Sequence, residues 1–368
     1  MPFLIAPSTP VASVRDYLRL LGCRPVHEER VMRVWAQALG WNERGRQACD
    51  FLPRRLREAL PTLDHDLRSL ARLRSMHPAA DGSARLLVEL LDGRTIESVL
   101  LPGGGLCVSS QVGCAVGCVF CATGQGGLER QLGSAEIVAQ VALARTLQPV
   151  NKVVFMGMGE PAHNLDEVLA AIELLGTAGG IGHKDLVFST VGDARVFERL
   201  PHCCVRPALA LSLHSTDGAV RARLLPRAPR IEPADLVEAG ERYARLTGYP
   251  IQYQWTLLAG INDGEAEVEG IANLLVGKFA VMNFIAWNAV DGVTFERPTA
   301  ERTAAILRTL RRRGIVATLR QSAGQDVDAG CGQLRARESG PAGLGRAHRR
   351  IAIVPATSGS ARCSPAAT

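Results

Sequence analysis

Short strand-like runs alternate with longer amphipathic stretches over most of the chain, from residue 106 to residue 320. The strand-like runs cover residues 106–111, 152–156, 186–190, 208–213, 251–257, 281–285 and 316–320. The helical patterns between them cover residues 135–147, 165–175, 233–246, 265–275 and 299–313. This alternation predicts an α/β fold with a parallel sheet, and its length suits a full or partial barrel. Catalytic side chains are then expected at the carboxyl ends of the strands.

The residues before this alternation predict a smaller unit. Residues 10–75 carry apolar side chains at helical spacing and predict a small helical domain. Residues 83–91 and 95–101 are strand-like and flank Asp92 and Gly93, a strong hairpin signal. We therefore expect a helical accessory domain over residues 1–78, a β-hairpin linker over 79–105, a core barrel over 106–334 and a flexible basic tail over 335–368.

The composition is that of a soluble globular protein. Of the 368 residues, 47% are hydrophobic and 21% are charged, which excludes disorder of the whole chain. The apolar runs are far shorter than a membrane span. No basic residue precedes the apolar stretch at residues 2–6, so it does not have the pattern of a secretory signal. We expect a cytoplasmic protein that does not associate with membranes.

The charge balance is basic, with a formal net charge of +6. Of the 42 basic residues, 39 are arginines and three are lysines, namely Lys152, Lys184 and Lys278. The excess is compatible with a polyanionic partner such as nucleic acid. A GC-rich genome, which encodes arginine readily, explains the same bias equally well.

Four of the ten cysteines lie within fifteen residues, between Cys107 and Cys121. In a reducing compartment, ten cysteines indicate metal binding or catalysis rather than a disulfide scaffold. Cys114, Cys118 and Cys121 form a C-x3-C-x2-C run, and the interleaved glycines let the loop curl so that three thiolates converge. Three thiolates serve a [4Fe–4S] cluster with one open iron. A zinc ion is the alternative, although no histidine lies nearby in sequence as a fourth ligand.

This run, with Phe120 before its last cysteine, resembles the cluster motif of radical S-adenosylmethionine (SAM) enzymes. The resemblance implies that the open iron binds the amino and carboxylate groups of SAM and that an electron from the cluster cleaves SAM to a 5′-deoxyadenosyl radical. The second strand-like run ends in Met-Gly-Met-Gly-Glu-Pro, residues 156–161. There Gly159 lets a ligand approach the backbone, and Glu160 is placed to bind the SAM ammonium.

A late cysteine, Cys331, lies just after the last strand-like run, in residues 326–334. A free cysteine is usually an inert core residue, and this is our interpretation of Cys23, Cys49, Cys203 and Cys204. Cys331 differs because glycines on both sides leave its thiol open. The end of the last strand also directs it towards the mouth of the barrel where the cysteine loop lies.

Together these residues resemble the RlmN/Cfr family of radical SAM RNA methyltransferases. The matching segments are residues 81–82, 96–99, 106–114, 154–161, 189–192, 212–214, 260–263, 287–288 and 329–334. They extend over most of the chain, from about residue 80 to residue 335. The helical start is also similar to the accessory RNA-binding domain of this family.

The resemblance implies a two-stage methylation of C2 or C8 of an adenine in ribosomal or transfer RNA. These sp2 carbons are not nucleophilic, so direct transfer from SAM cannot methylate them. By the resemblance, Cys331 takes a methyl group from a first SAM, a radical from a second SAM removes a hydrogen from that methyl, and the carbon radical adds to adenine. Cys107 then assists removal of the ring proton and resolves the protein–RNA crosslink by forming a disulfide with Cys331. Glu97 is an alternative proton acceptor.

The resemblance also implies the ligands and partners. The expected SAM contacts are Gly159, Glu160, Ser189, Ser212, Leu213, His214 and Asn288. The expected partners are RNA and a reductant such as flavodoxin or ferredoxin, and we expect a monomer.

The chain departs from the family pattern away from these residues. Glycines at 103–105 stand where the family has an arginine, residues 225–228 differ from its Met-Pro-Ile-Asn element, Ala286 replaces a proline and Ala323 replaces an arginine. These positions bear on which RNA is recognised rather than on the reaction. Two alternatives stay open: a radical SAM enzyme that acts on a peptide or small molecule, and a non-catalytic iron–sulfur or zinc RNA-binding sensor.

Overall fold

The computed structural model describes residues 5–42 and 51–336. The strands are β1 (Arg72–Pro78), β2 (Ala84–Glu89), β3 (Thr95–Leu101), β4 (Gly105–Cys107), β5 (Gln111–Gly113), β6 (Leu128–Gln131), β7 (Lys152–Phe155), β8 (Leu186–Thr190), β9 (Ala208–Ser212), β10 (Ile251–Leu257), β11 (Ala280–Ala286) and β12 (Val316–Arg320). The α-helices are α1 (Val11–Leu20), α2 (Pro25–Ala36), α3 (Arg54–Ser69), α4 (Ala122–Gln125), α5 (Ser134–Arg145), α6 (Leu165–Gly176), α7 (Ala194–Arg199), α8 (Gly218–Leu224), α9 (Pro233–Thr247), α10 (Glu265–Leu275) and α11 (Ala300–Arg312). None of these helices has the length and apolar character needed to cross a membrane. Cys49 and the expected tail from residue 337 onward lie outside the described residues.

The main sheet has the strand order β1-β2-β3-β4-β7-β8-β9-β10-β11-β12 within the described residues. From β4 to β12 every neighbouring pair is parallel. Strand β9 illustrates the reason, because its first four residues, Ala-Leu-Ala-Leu, are all buried. A strand buried on both faces must be covered by helices, and crossover helices lead to parallel pairing. The predicted partial α/β barrel is confirmed, and six of the seven predicted strands and all five predicted helices agree with the structure to within two residues.

The first predicted strand, at residues 106–111, is wrong as a single element. It divides into β4 of the main sheet and β5, which pairs with β6 in a separate two-stranded sheet. The break falls at Ser109, whose N–H donates to the Gln140 side chain at 2.9 Å and whose carbonyl accepts from the same amide at 3.0 Å. Because Gln140 satisfies both backbone groups, the chain leaves the sheet at this point without an unpaired buried amide.

The N-terminal helices α1–α3 pack against α5 and α6, on the outside of the barrel. Leu18, Val31 and Leu56 are fully buried and belong to the same hydrophobic cluster as the barrel core. The predicted helical pattern ends too late, because its last residues belong to β1. This strand is mostly exposed and pairs antiparallel with β2, so pairing at the sheet edge, rather than periodic burial, determines its conformation.

The segment that follows β12, residues 321–336, runs back to the β1–β2 turn and to strand β3. The N–H of Gly324 donates to the Asp81 carboxylate at 2.9 Å, and the N–H of Arg335 donates to the Glu97 carboxylate at 2.7 Å. Near the cysteine loop, the Thr123 hydroxyl donates to the Leu334 carbonyl at 2.6 Å. These bonds connect the two ends of the open sheet and hold Cys331 above the carboxyl ends of the strands.

Candidate active site

The loop between β5 and α4 presents the three cysteines of the C-x3-C-x2-C run. The N–H of Cys114 donates to the Gly127 carbonyl at 2.8 Å. Gly113 has a φ of +81°, and a Cβ at this position would lie 2.0 Å from the Gly127 oxygen. Only glycine permits so close an approach of two backbones. Gly113 therefore fixes the turn at the start of the loop and, with it, the position of Cys114.

All three thiols line one cavity of about 150 Å³. Burial raises the pKa of Cys114 to about 12. Burial, followed by negative charge at Cys121 and Cys114, raises the pKa of Cys118 well above its usual value. Thiols in this environment stay protonated until a metal centre displaces their protons.

The spacing of the thiols bears on which metal centre fits them. Within the described residues, no three His, Cys, Asp or Glu side chains are placed to hold one metal ion. A tetrahedral zinc ion with Zn–S bonds of about 2.3 Å draws its sulfurs to about 4 Å from one another, whereas an iron–sulfur cluster separates its thiolates more widely. Three soft sulfur donors around a common cavity suit a metal centre that is bound through thiolates, and an iron–sulfur cluster is one such centre.

The Gly-Met-Gly-Glu run after β7 places a carboxylate beside these thiols. The Glu160 side chain accepts hydrogen bonds from the N–H groups of Ala162 and Val191 at 3.1 and 3.0 Å. Its own N–H donates to the Gln111 side chain at 2.8 Å. Burial raises the pKa of Glu160 to about 7, against the opposing effect of its hydrogen bonds. A buried carboxylate held in this way is a receptor for a cationic group of a ligand.

His214 lies at the end of β9 with a φ of +60°, a left-handed conformation that is rare outside glycine. Its Nδ1 accepts a hydrogen bond from the Thr256 N–H at 3.0 Å. Burial, and after it the charge of Arg221, lower the pKa of His214 to about 3. The ring is therefore neutral near pH 7, and the proton on Nε2 is its available donor.

A larger cavity of about 640 Å³ adjoins the first and contains the two remaining predicted thiols. It runs from Gly105 and Lys152, at the amino ends of β4 and β7, to Cys107, Cys121 and Cys331. Both cavities are lined by Cys121 and Cys331. A molecule in the larger cavity thus has direct access to the cysteine loop and to the late cysteine.

Cys331 acts electrostatically on Cys107. Burial, and after it negative charge at Cys331, raise the pKa of the Cys107 thiol to about 12. The surrounding protein also raises the pKa of Cys331, opposed by the charge of Arg320 and by a hydrogen bond with Ser322. Cys331 is nevertheless exposed, because it faces the open interior of the cavity.

The structure brings most of the predicted SAM contacts together. Those that line the smaller cavity are Gly159, Glu160, Ser189, Ser212 and His214. Leu213 is fully buried, and its N–H donates to the Gln254 carbonyl at 3.0 Å. The Asn288 amide donates to the Ser322 hydroxyl at 2.8 Å and to the Cys331 carbonyl at 3.0 Å, so it holds the segment that carries Cys331.

Glu97 is only 1% exposed and lies outside the lining of both cavities described above. Its carboxylate pairs with the Arg85 guanidinium and accepts the hydrogen bond from the Arg335 N–H. In this arrangement both of its oxygens have partners within the protein.

One residue of the site has no counterpart in the sequence analysis. Arg221, in α8, is 3% exposed, and its guanidinium donates to the carbonyls of Val191 and Ser212. As one of 39 arginines it gives no distinctive signal in the sequence. Its importance becomes visible only when its burial beside the cysteine loop is known.

Comparison with known proteins adds independent findings. The family model described as the radical SAM superfamily matches residues 108–275. A protein of Methylibium petroleiphilum named "Probable RNA methyltransferase" is 68% identical over 332 residues, covering 90% of this chain and 94% of that protein. A protein of Leptothrix cholodnii with the same description is 65% identical over 345 residues, covering 94% and 98%. The crystal structure of a radical SAM methyltransferase from Sphaerobacter thermophilus is similar with a TM-score of 0.78 and 33% identity, covering 90% of this chain and 98% of that chain.

Proposed function

The chain belongs to the RlmN/Cfr family of radical SAM RNA methyltransferases, and from this premise we propose that it methylates C2 or C8 of an adenine in ribosomal or transfer RNA through a methyl group carried on Cys331. It is a SAM-dependent enzyme with a [4Fe–4S] cluster. The observation that carries the proposal is the shared cavity of Cys107 and Cys331, which opens onto the cysteine loop.

Cys114, Cys118 and Cys121 hold the cluster and leave one iron open to SAM. When bound, the cluster supplies the electron that cleaves SAM into a 5′-deoxyadenosyl radical. The protein contributes by orienting the three thiols around one cavity and by burying Cys114 from water. The buried position of Cys114 and the glycine turn before it support this assignment.

The smaller cavity receives SAM. The Glu160 carboxylate accepts from its amino group, and the neutral His214 donates from Nε2, with Ser189 and Ser212 completing the polar lining. Leu213 and Asn288 remain proposed contacts. The Asn288 amide donates a hydrogen bond to the Cys331 carbonyl, so its proposed contact with SAM is made from beside that carbonyl.

Cys331 attacks the methyl group of a first SAM as a thiolate, so that a carbon–sulfur bond forms and S-adenosylhomocysteine leaves. The positive charge of Arg320 and the Ser322 hydroxyl favour this thiolate against the effect of burial. The 5′-deoxyadenosyl radical from a second SAM would then take a hydrogen from this methyl group and leave as 5′-deoxyadenosine. The radical left on the carbon bonded to the Cys331 sulfur would add to the adenine ring. Each turnover consumes two SAM molecules in this scheme.

Cys107, which lines the same cavity as Cys331, would complete the reaction. It would assist loss of the ring proton, while the unpaired electron of the adduct passes to an iron–sulfur electron acceptor. The Cys107 thiolate would then attack the Cys331 sulfur, so that the S–S bond forms, the bond between Cys331 and the transferred carbon breaks, and that carbon takes up a proton to become the methyl group. The disulfide must be reduced before the next turnover. Glu97 remains a second proposed proton acceptor, but its carboxylate would first have to release Arg85 or the Arg335 N–H.

An RNA substrate is supported by the relatives, which are named RNA methyltransferases, rather than by the arginine content alone. A reductant such as flavodoxin or ferredoxin supplies the electrons, and the enzyme acts as a monomer. The cytoplasmic location and the four domain boundaries stay predictions. For an RNA substrate, we expect the affinity to fall steeply as salt concentration rises.

Mass spectrometry of the Cys331 peptide tests the proposal. Protein purified from SAM-replete cells should carry one methyl group on Cys331, while the exposed Cys204 serves as an internal control and stays unmodified. Mapping of methyladenosines in total RNA with and without the enzyme then identifies the RNA and distinguishes C2 from C8. An unmodified Cys331 in every preparation, together with unchanged RNA, would contradict the proposal.

A further inference from the structure

Arg221 is a buried charge whose place in the fold is fixed by two strand ends. Its Nη2 donates to the carbonyl of Val191, just after β8, and to that of Ser212, the last residue of β9, at 3.2 Å for the latter. Its Nε is buried and has no hydrogen-bond partner among the described residues. The two bonds of Nη2 therefore hold the guanidinium in place, while the N–H group at Nε has no acceptor among the described residues.

Two groups of the candidate active site, Cys118 and Glu160, act electrostatically on Arg221, as does the cation Arg230 outside the site. Burial lowers the pKa of Arg221 to about 10, opposed by Cys118 and Glu160, so the guanidinium stays protonated near pH 7. Its charge also reaches His214. No ion pair to Arg221 occurs within the described part of the chain, although a buried cation without an anionic partner costs several kcal/mol.

The anion that would compensate Arg221 is only partly present in the protein alone. Within the described residues no carboxylate forms an ion pair with Arg221, and its buried Nε has no hydrogen-bond acceptor. A bound cluster changes this balance, because three thiolates and the sulfide ions make it anionic and reduction adds one more negative charge. Cluster reduction potentials respond to nearby charge and to hydrogen bonds at the sulfurs.

We propose that Arg221 is a positioning residue that raises the reduction potential of the cluster, with its buried cation favouring the reduced, more negative form. This inference rests on the proposed cluster at Cys114, Cys118 and Cys121. Nε has no partner among the described residues, and the bonds of Nη2 to Val191 and Ser212, which both line the smaller cavity, keep the guanidinium from turning towards solvent. The carboxylate of SAM is a second anion that could use the same donor, so the test separates the two.

The experiment compares the reconstituted holoenzyme with Arg221→Gln, Arg221→Lys and Arg223→Gln. Arg223 lies on the same helix and is exposed, so its replacement removes an equal charge away from the site. Iron and sulfide content is measured first, since a wild-type protein without a cluster would refute the proposed function and not the role of Arg221. A redox titration followed by electron paramagnetic resonance is then done without SAM.

In Arg221→Gln, we expect the ratio of reduced to oxidised cluster to be about tenfold lower at the potential where the wild-type cluster is half reduced. This equals a fall of about 59 mV for a one-electron couple. Arg221→Lys keeps the charge and should stay near the wild-type potential, as should Arg223→Gln. An Arg221→Gln potential equal to that of Arg223→Gln would overturn the proposal, and a weakened SAM affinity in the same variant would then assign Arg221 to the SAM carboxylate.

If Arg221→Gln does not retain a cluster, Arg221→Lys becomes the deciding variant. It must then retain the cluster at a potential close to that of the wild type, because the charge is preserved. Loss of the cluster from Arg221→Lys, or a tenfold fall in its reduced fraction, would show that the bracing of β8 and β9, rather than the charge, is what matters.

Discussion

Glu97 accepts a hydrogen bond from the backbone N–H of Arg335 at 2.7 Å, which joins strand β3 to the segment that carries Cys331. The same carboxylate pairs with Arg85 on the neighbouring strand β2. Glu97 is almost completely buried, so the free energy of this contact is not weakened by competition with water. The contact therefore bears on both the stability of the fold and the placement of the Cys331 thiol.

Glu97→Ala should lower the free energy of unfolding by about 3–5 kcal/mol, because it leaves the partly buried Arg85 without its partner. Glu89→Ala is the matched control, since Glu89 forms an exposed pair with Arg74 on the adjacent strands and should cost less than about 1 kcal/mol. Urea unfolding of the purified proteins measures both. Equal losses for the two variants would contradict a bracing role for Glu97.

The free energy of unfolding should depend on pH through the protonation of His214. Because burial and Arg221 lower its pKa to about 3, the unfolded chain binds a proton below about pH 6.5 while the folded state does not. The contribution of His214 to the free energy of unfolding is therefore complete above about pH 6.5. It falls as pH decreases, by about 2 kcal/mol between pH 6.5 and pH 5.

His214→Asn tests this dependence, since asparagine tolerates the left-handed backbone and offers an oxygen to the Thr256 N–H. We expect the difference in unfolding free energy between pH 7.5 and pH 5 to shrink by about 2 kcal/mol in this variant. The exposed His202 provides the control substitution, His202→Asn. If the two variants show the same pH dependence, His214 is not neutral in the folded state.

The parallel part of the fold was predictable because burial on both faces leaves an unmistakable pattern of short apolar runs separated by helices. Strand β9 and helix α10 are examples in which almost every expected residue is in place. Strand β5 was not predictable, because its pairing with β6 depends on a side chain, Gln140, that comes from a later helix and ends β4 early. Contacts between distant parts of the chain leave no local periodicity.

The residues of the candidate site also fall into two groups, those that were predictable from local sequence features and those that were not. The thiols of Cys114 and Cys331 were identifiable because spacing and flanking glycines are local features of the sequence. Arg221 was not, because its place in the site depends on burial between two strand ends and not on its neighbours in the chain. Asn288 was expected at SAM, and only the structure shows that its amide also holds the Cys331 carbonyl.

Cys107→Ala should separate the early steps of the proposed reaction from the last one. Cys331 should still become methylated, because methyl transfer does not require Cys107, but release of the RNA product should stop. We therefore expect a covalent protein–RNA adduct in denaturing gels, and no methylated RNA beyond background. Cys203→Ala, a substitution at a cysteine outside both cavities, should behave as the wild type. Normal turnover by Cys107→Ala would refute its role in resolving the adduct.

Gly113→Ala tests how strictly the cysteine loop depends on its turn. A Cβ at residue 113 would lie 2.0 Å from the Gly127 carbonyl oxygen, and the φ of +81° adds strain of about 1–2 kcal/mol. Gly127→Ala is the matched control, because Gly127 has a similar φ of +73° but open space around its Cα. Both variants carry the same backbone strain, so a difference between them reports the steric clash. We expect iron content after anaerobic reconstitution to fall severalfold in Gly113→Ala and to stay near wild type in Gly127→Ala. If both variants hold a full complement of iron, the backbone approach at Gly113 is not what positions Cys114.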